Sequence, residues 1–408
     1  MNGPLDGIRI LDFGIVGTGP KTALILSWLG ADVIKVESPV FPDPFRFAAM
    51  FPSGKDVLEP WNMSVGANAN NRHKRSVCID YLRPEGRAAV DRLIETADVL
   101  LHNFRLSVAD KAGLTFDRLQ TLNPRLVLVA LSSQGDSGPR RDYGSYGATL
   151  EGLGGIAGLL GTKTDPLITS VNFPDQACPL LASGTIVSAL AARDFSGTGS
   201  FIDFAQVEAT ALLGGDITLA SQLPEYQETY EYTGLDEPTG VFRCDGDDEW
   251  ITIEVTDQAA WEAFCAVTGM KPEKYADCES RQRARRAIHD FVGSWTRLLK
   301  AKDIESRLKA AGVAAARVWR GPEILEHPAL AARSHFEDIE SDRLGMRRYN
   351  GNPLGKDFLP AAWAPRPAAR LGEHNREVMI EAGLTHGEID NLEAMKVLAT
   401  RPGGAGGD

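Results

Sequence analysis

The 408-residue sequence predicts an α/β fold: a large Rossmann-like domain with a parallel sheet, plus a smaller α+β domain. Apolar strand-like runs alternate with amphipathic helical runs through the first half, as in βαβ units. The segment Arg125–Leu131 (RLVLVAL) is almost continuously Val and Leu, which is typical of a strand covered on both faces. After a polar, tyrosine-rich segment at Gln222–Glu237 the pattern changes, which indicates a second domain.

The elements follow from this patterning in chain order. In the first half we predict the strands Ile8–Leu11, Asp32–Glu37, Val99–Leu101, Arg125–Leu131 and Phe201–Phe204, and the helices Pro20–Leu29, Pro84–Ala97, Asp175–Ala192 and Gln206–Ser221. In the second half we predict a hairpin at Gly240–Val255 and the helices Trp261–Val267, Ala284–Leu299, Ile304–Ala311, Asn375–Ala382 and Gly387–Met395. The predicted domains are 1–224 (large), 225–330 (small) and 331–408, which returns to the large domain.

Composition and charge exclude several classes of protein. A formal net charge of −12 argues against non-specific nucleic-acid binding, although a local basic pocket for an anion remains compatible with it. The five cysteines form no C-x-x-C pair and no cluster with histidine at metal-ligand spacing, so we expect no metal site and a reducing compartment. No signal-peptide pattern and no membrane-length apolar run is present, so we expect a soluble cytoplasmic protein.

A glycine-rich segment connects the first strand to the first helix. It reads Gly14-Ile-Val-Gly17-Thr-Gly19-Pro20, in the order G-x-x-G-x-G, whereas the dinucleotide fingerprint is G-x-G-x-x-G. Nicotinamide binding is therefore disfavoured. Two interpretations stay open: a tight strand-to-helix connection, or a backbone that leaves room for a ligand.

Asp175 is a candidate functional carboxylate because of its position in the sequence. It follows Pro174 at the start of an apolar helix, where Asp is also a favoured N-cap. A carboxylate at this position could instead act as a nucleophile toward a thioester carbonyl. From the residues alone, the cap and the nucleophile are both tenable.

Motifs along nearly the whole chain resemble the class III coenzyme A-transferase family (CaiB/BaiF type). The matching segments are LDGIRILDFG (5–14), LSWLGADVIKVESP (26–39), NRHKRSVCID (71–80), PEGR (84–87), ADVLLHNFR (97–105), NPRLV (123–127), SSQG (132–135), Tyr146–Gly155, Asp175 with Ala189-Leu190, TGSFID (198–203), GVF (240–242) and LGEHN (371–375). So many motifs in the same order make the resemblance specific.

The resemblance implies an enzyme that moves coenzyme A (CoA) from an acyl-CoA donor to a carboxylic acid, with Asp175 as the covalent nucleophile and no metal. It implies an interlocked homodimer, or a heteromer with a homologous subunit. Gly17 and Tyr146 are expected to belong to the catalytic site with Asp175, and oxyanion donors are expected near Gly17 or within Thr233–Gly240. Residues expected to hold CoA, by phosphate contacts or by stacking on adenine, are Val16, Lys35, Arg72, Lys74, Arg75, Asn103, Phe104 and Arg105. The alternative for the basic run Arg72–Arg75 is a solvated turn.

Departures from the family pattern narrow the activity. Related transferases for small acids often carry a Gln-like side chain where this sequence has Gly17, which weakens a formate or oxalate assignment. The racemase branch has Gly-His-Asp where this chain reads Ser145-Tyr146-Gly147. Without that histidine the chain has no obvious second base for proton transfer. The CoA-transferase is therefore the first hypothesis, a 2-methylacyl-CoA racemase is the second, and a non-catalytic subunit is the third. Apolar residues in Phe41–Met50 and Phe51–Trp61 could line an acyl pocket or belong to the core; the donor and acceptor acids are not identified.

Overall fold

A computed structural model describes residues 3–48, 59–160, 166–223, 236–354 and 364–403. The chain divides into two compact units, one formed by 1–215 with 331–408 and the other by 216–330. The units divide the chain at 215/216 and 330/331, whereas the predicted domain boundaries are at 224/225, which lies outside the described residues, and at 330/331.

The larger unit is built on a six-stranded parallel sheet in the order β3-β2-β1-β4-β5-β6. This is the strand order of the Rossmann fold, so the predicted fold class is confirmed. Most of these strand residues are buried, as expected of a sheet with helices on both faces. The strands are β1 (Arg9–Asp12), β2 (Asp32–Glu37), β3 (Arg75–Cys78), β4 (Val99–His102), β5 (Val127–Ala130) and β6 (Phe201–Asp203).

The helices cover both faces of this sheet. Alternate residues of one strand enter different cores: Leu11 packs with the helix at 84–95, and Ile10 packs with the helix at 174–196. The helices, numbered α1 to α18 in chain order, are Thr18–Trp28, Val65–Asn70, Pro84–Glu95, Leu106–Ala112, Phe116–Leu122, Gly147–Leu153, Ile156–Leu160, Pro174–Ser196, Gln206–Leu212, Gly215–Ala220, Gln258–Thr268, Cys278–Arg283, Arg285–Thr296, Ala301–Ala310, Gly321–Ile324, Pro328–Ala332, Asn375–Glu381 and His386–Ala394.

The chain order of the sheet reverses between β1 and β4. In the register of this pair Asp12 lies opposite Leu101, so the segments that follow β1 and β4 leave the sheet side by side. Ligands of open parallel sheets bind in the crevice at such a switch point, outside the carboxyl ends of the strands. We therefore expect residues 13–17 and 103–105 to form a ligand-binding site.

The smaller unit has its own sheet and core. Strands β7 (Thr239–Arg243) and β8 (Trp250–Glu254) form the predicted antiparallel hairpin, and β9 (Ala314–Arg317) pairs with β8. Trp261 and Phe264 lie fully buried in this core. Strand β9 was not predicted because alanine carries no β-strand signal.

Other differences from the sequence predictions have local causes. The predicted helix Gln206–Ser221 is interrupted at Gly214, where α9 has ended and α10 has not begun. In the larger unit an unpredicted hairpin joins β10 (Phe336–Ser341) to β11 (Gly345–Asn350). The run Arg72–Arg75 is not a solvated turn, because its residues are largely buried and Arg75 begins β3. None of the helices in the described segments has the length and apolarity to cross a membrane.

Candidate active site

The glycine segment after β1 is a close backbone crossing. A Cβ at Gly14 would lie 2.7 Å from the Cα of Gly19, and a Cβ at Gly19 would lie 2.7 Å from the Cα of Gly14. These two glycines are therefore required by packing of the β1 exit against α1. Gly17 has a different neighbour, since its added Cβ would lie 3.4 Å from Cγ of Asp175. The tight-connection interpretation is thus confirmed for Gly14 and Gly19, and room for a ligand stays a prediction for Gly17.

Side chains from other segments hold this loop in place. Val16 has φ +63°, an outlier for a β-branched residue. Its N–H donates to the Asp43 carboxylate at 3.0 Å, and its carbonyl accepts from Asn70 at 3.1 Å. Asn103, from the segment after β4, accepts from the N–H of Ile15 at 2.8 Å and donates to its carbonyl at 2.9 Å. The two segments at the switch point are thus locked together.

The start of α1 presents free backbone donors. In the described part of the chain, no acceptor pairs with the N–H of Gly17 or of Thr18. The N-terminus of a helix also carries a partial positive charge. The backbone at Gly17–Thr18 therefore suits a negatively charged oxygen.

Asp175 lies in the first turn of α8, beside this backbone. The N-cap of α8 is Phe173, and it makes no side-chain cap. The Asp175 carboxylate instead accepts from the Thr18 hydroxyl at 3.0 Å and lies beside Gly147, the first residue of α6. The capping interpretation of Asp175 is therefore wrong, because the carboxylate faces the starts of α1 and α6.

The environment of Asp175 changes its basicity. Burial raises the pKa of Asp175 above its ordinary value of 3.8, and the Glu151 carboxylate adds to the rise. The Thr18 hydroxyl, the Lys21 ammonium and the Gly147 N–H act in the opposite direction and lower this pKa. Asp175 is thus a partly desolvated carboxylate, more basic than one in water.

Glu151 anchors the chain just before Asp175. It is fully buried in α6, and its carboxylate accepts from the N–H of Thr169 at 2.6 Å and of Phe173 at 2.8 Å. Helix α6 therefore contacts the region of Asp175 at two points, because Gly147 lies beside the carboxylate and Glu151 binds the N–H of Phe173, two residues before Asp175.

A cavity of about 750 Å³ opens beside Asp175 at the switch point. The described residues that line it include most of the sequence-predicted site, while Tyr146 and Arg105 are exposed to solvent. No salt bridge or side-chain hydrogen bond of Arg105 is found among the described residues, although its guanidinium interacts electrostatically with the Asp142 carboxylate of the same lining. The predicted residues in the lining are Val16, Gly17, Asn103, Phe104, Arg105, Tyr146 and Asp175.

Two predicted cations lie beneath the loop and do not line the cavity. Lys74 donates to Asp12 at 2.8 Å, and Lys35 donates to the carbonyl of Gly14. Asp12 is fully buried and also accepts from the N–H of Gly14 at 2.8 Å. Burial lowers the pKa of Lys74 to about 8, against the opposing effect of Asp12. Lys35 and Lys74 support the glycine loop from inside.

The other two predicted cations also have internal partners. Arg72 donates to Glu337 at 2.6 Å, and its guanidinium lies over the ring of Tyr349. Arg75 donates to Asp32 at 3.0 Å and to Glu377 at 2.9 Å. Neither Arg72 nor Arg75 lines the cavity, so the structure does not bring them together with Arg105.

Sequence reasoning missed several residues around Asp175. Thr18 belongs to the glycine segment and Gly147 follows Tyr146, so their positions in the sequence could have indicated that they lie near the site. Gln206, which contacts Thr18, and Glu151 gave none, because their proximity to Asp175 arises only from the fold.

A second, smaller cavity of about 310 Å³ lies on the sheet face that carries Leu128. Its lining includes the carboxylates of Asp110, Asp117 and Asp136. Burial, with Asp203 and Asp110 nearby, raises the pKa of Asp136. An acidic lining disfavours a phosphate-bearing ligand. The larger cavity is therefore the candidate site.

The expected acyl pocket and the expected glycine linker are described by the structure only in part. Residues 49–58 of the expected acyl pocket and 233–235 of the expected glycine linker lie outside the described residues. Of the expected pocket segment, Pro44 lines the larger cavity and Phe41 is exposed. No cluster of His, Cys, Asp or Glu suited to a metal ion occurs in the segments that could be searched.

Comparisons with known proteins place the chain in a family. The succinyl-CoA–D-citramalate CoA-transferase of Chloroflexus aurantiacus is 29% identical over 97% of this chain and 98% of the relative. The succinate–glutarate CoA-transferase of Agrobacterium fabrum is 28% identical over 93% and 95%. The crystal structure of a CAIB/BAIF family protein from Brucella suis has a TM-score of 0.80 at 25% identity, covering 94% of this chain and 100% of that one. The profile of CoA-transferase family III matches residues 5–375. The chain is therefore an enzyme of CoA-transferase family III.

Proposed function

We propose that this enzyme transfers CoA from an acyl-CoA to a carboxylic acid through covalent intermediates on Asp175. The observation that carries the proposal is the position of the Asp175 carboxylate. It lies in the lining of the 750 Å³ cavity, beside Gly17 and the unpaired N–H groups that begin α1. A nucleophile next to oxyanion donors is the arrangement that acyl transfer needs.

The first exchange places the acyl group on the enzyme. An Asp175 oxygen attacks the thioester carbonyl carbon, the C–S bond breaks, and the electron pair leaves on sulfur as the CoA thiolate. The product is a mixed anhydride. The thiolate then attacks the aspartyl carbonyl, releasing the donor acid as a carboxylate and leaving an aspartyl-CoA thioester. No proton has to be transferred in either step.

The second exchange reverses this chemistry with the acceptor acid. The acceptor carboxylate attacks the aspartyl thioester and forms a new anhydride, and the thiolate then attacks the acceptor carbonyl to give the new acyl-CoA and free Asp175. Each tetrahedral state carries an oxyanion, which the N–H groups of Gly17 and Thr18 support. The raised pKa of Asp175 makes its carboxylate a stronger base and hence a better nucleophile.

The cavity lining supports CoA binding at the switch point. Arg105 offers an exposed guanidinium that can take phosphate oxygens, and Phe104 offers a ring for the adenine. Lys35, Lys74, Arg72 and Arg75 have internal partners, so we assign the phosphate contact to Arg105. Gly17 argues against formate or oxalate as the acid. The two relatives described above are named for succinate, glutarate and citramalate, and we therefore favour a dicarboxylic acid of four or five carbons as substrate.

The test replaces Asp175 by Asn and by Ala. Both variants should bind CoA but show no transfer between succinyl-CoA and a panel of dicarboxylic acids, because neither supplies a nucleophilic oxygen. Hydroxylamine or borohydride trapping of the wild type with succinyl-CoA, followed by mass spectrometry, should mark the peptide containing Asp175.

An active Asn variant, or an adduct on another residue, would disprove the Asp175 intermediate. Exchange of the α-hydrogen of a 2-methylacyl-CoA without any acid acceptor would instead favour the racemase. Wild-type CoA binding without turnover on any acid of the panel would favour the non-catalytic subunit.

A further inference from the structure

Thr18 has one hydroxyl proton but faces two oxygen acceptors. Its Oγ1 lies 3.0 Å from Oδ1 of Asp175 and 2.8 Å from Oε1 of Gln206. Thr18 is 2% exposed and Gln206 6% exposed. A hydroxyl donates one hydrogen bond at a time, so the two contacts cannot both be satisfied by the Thr18 proton.

The orientation of the Gln206 amide is fixed by a separate bond. Its Nε2 donates to the carbonyl of Leu131 at 2.7 Å, and a carbonyl oxygen can only accept. Oε1 is therefore the atom that faces Thr18, and it too can only accept. Gln206 thus competes with Asp175 for the same proton.

The charge on Asp175 decides this competition. Hydrogen bonds to an ionised acceptor are stronger than those to a neutral one, so the Asp175 carboxylate takes the proton in the free enzyme. When Asp175 becomes an anhydride or a thioester, it loses its charge and becomes a weaker acceptor. The Gln206 oxygen is then the better partner, and rotation about the Cβ–Oγ1 bond of Thr18 is enough to reach it.

We propose that Thr18 is a two-position hydrogen-bond switch, donating to Asp175 in the free enzyme and to Gln206 when Asp175 is acylated. Thr18 is a catalytic residue because it contacts a reacting carboxylate, and Gln206 is a positioning residue that acts through Thr18. No covalent bond is made and the proton stays on Thr18. The proposal rests on the proposed function of Asp175. Its advantage is that acylation leaves no buried hydroxyl without an acceptor.

Three single variants separate the switch from a structural role. Thr18→Val removes the donor at nearly constant shape, Thr18→Ser keeps the hydroxyl as the matched control, and Gln206→Met removes the second acceptor. Gln206→Leu replaces the methionine variant if that variant does not fold. The readouts are the acid limb of kcat/KM against pH and the yield of enzyme acylated in a single turnover.

The two sites should shift the acid limb differently. Thr18→Val should move it to higher pH, because the Thr18 bond lowers the pKa of Asp175, and Thr18→Ser should restore it. Gln206→Met should not move it upward, since Thr18 then has no competing acceptor. Gln206→Met should nevertheless lower the acyl-enzyme yield by roughly five- to a hundredfold, as expected for a buried hydroxyl left unpaired. Adding Gln206→Met to Thr18→Val should change little further.

Some results would overturn the switch. They are an unchanged acid limb in Thr18→Val, an upward shift in Gln206→Met, or a Gln206→Met acyl-enzyme yield equal to that of the wild type. Titration of the Asp175 carboxyl in the free enzyme by ¹³C NMR, assigned with Asp175→Asn, tests the donor half without turnover. Loss of the proposed function would appear separately, as no adduct on Asp175 in the wild type.

Discussion

At the scale of single residues, four cations expected to bind CoA prove to be held inside the larger unit. Arg72 shows the difference most clearly, because its guanidinium is buried against Glu337 and Tyr349, whereas Arg105 is exposed beside the cavity. Sequence can indicate that a basic residue is present. It cannot indicate which way the side chain points, because burial and partners are set by segments far away in the chain.

The pair Arg105 and Arg72 gives a direct prediction. Arg105→Ala should raise KM for acyl-CoA about ten- to a hundredfold, the value of one charge-assisted contact of about 1.5–3 kcal/mol, with unchanged stability. Arg72→Ala should lower the free energy of unfolding by about 3–5 kcal/mol, because it leaves the Glu337 carboxylate less well paired in the interior. Arg92→Ala, at an exposed surface pair, is the control for both assays. Steady-state kinetics measures KM, and urea unfolding measures the free energy of unfolding. A wild-type KM in Arg105→Ala would show that Arg105 does not bind CoA.

At the scale of elements, the sequence predicted the sheet and singled out Asp175 as the proposed nucleophile, but it did not predict the residues that surround Asp175 in the fold. Hydrophobic runs identified β1, β2, β4 and β5, and Asp175 was identified by its position at a helix start and by family motifs. Glu151 and Gln206 could not be predicted, since each reaches Asp175 through contacts between separate helices. Strand β3 was hidden in a basic run, because the buried carboxylate of Asp12 and the half-buried carboxylate of Asp32 balance the charges of Lys74 and Arg75.

The contact between β1 and α1 makes a prediction about the glycine loop. Gly19→Ala should lower the free energy of unfolding by about 1–3 kcal/mol and reduce transfer, because its Cβ would meet the Cα of Gly14 at 2.7 Å and displace the start of α1. Gly152→Ala is the matched control in α6: no atom lies within 4 Å of its added Cβ, so this variant should be as stable as the wild type or more so. Urea unfolding compares them. A Gly19→Ala protein of wild-type stability would show that the loop can relax.

At the scale of the whole molecule, large apolar side chains of α8, of α9 and of the segment just before α8 are exposed to solvent. Leu180 is 59% exposed, Phe195 94% and Leu212 68%, and together with Val171 and Leu181 they leave large side chains facing solvent in the single chain. Exposed apolar residues of this size in neighbouring elements are characteristic of surfaces that bind another protein. This observation supports the proposal of a dimer, which came from the family resemblance.

An interlocked dimer predicts more than a doubled mass. Chains threaded through one another separate only when part of the fold opens, so sedimentation should give one species of twice the chain mass, without dissociation on dilution to nanomolar concentration. The midpoint of urea unfolding should rise with protein concentration, because unfolding then includes separation of the chains.

Phe195→Asp, which places a charge on the apolar surface, should reduce the yield of folded dimer, whereas Asp194→Asn beside it should not. A stable, active monomer at micromolar concentration would contradict the interlocked assembly, and a dimer that dissociates freely on dilution would indicate simple side-by-side association.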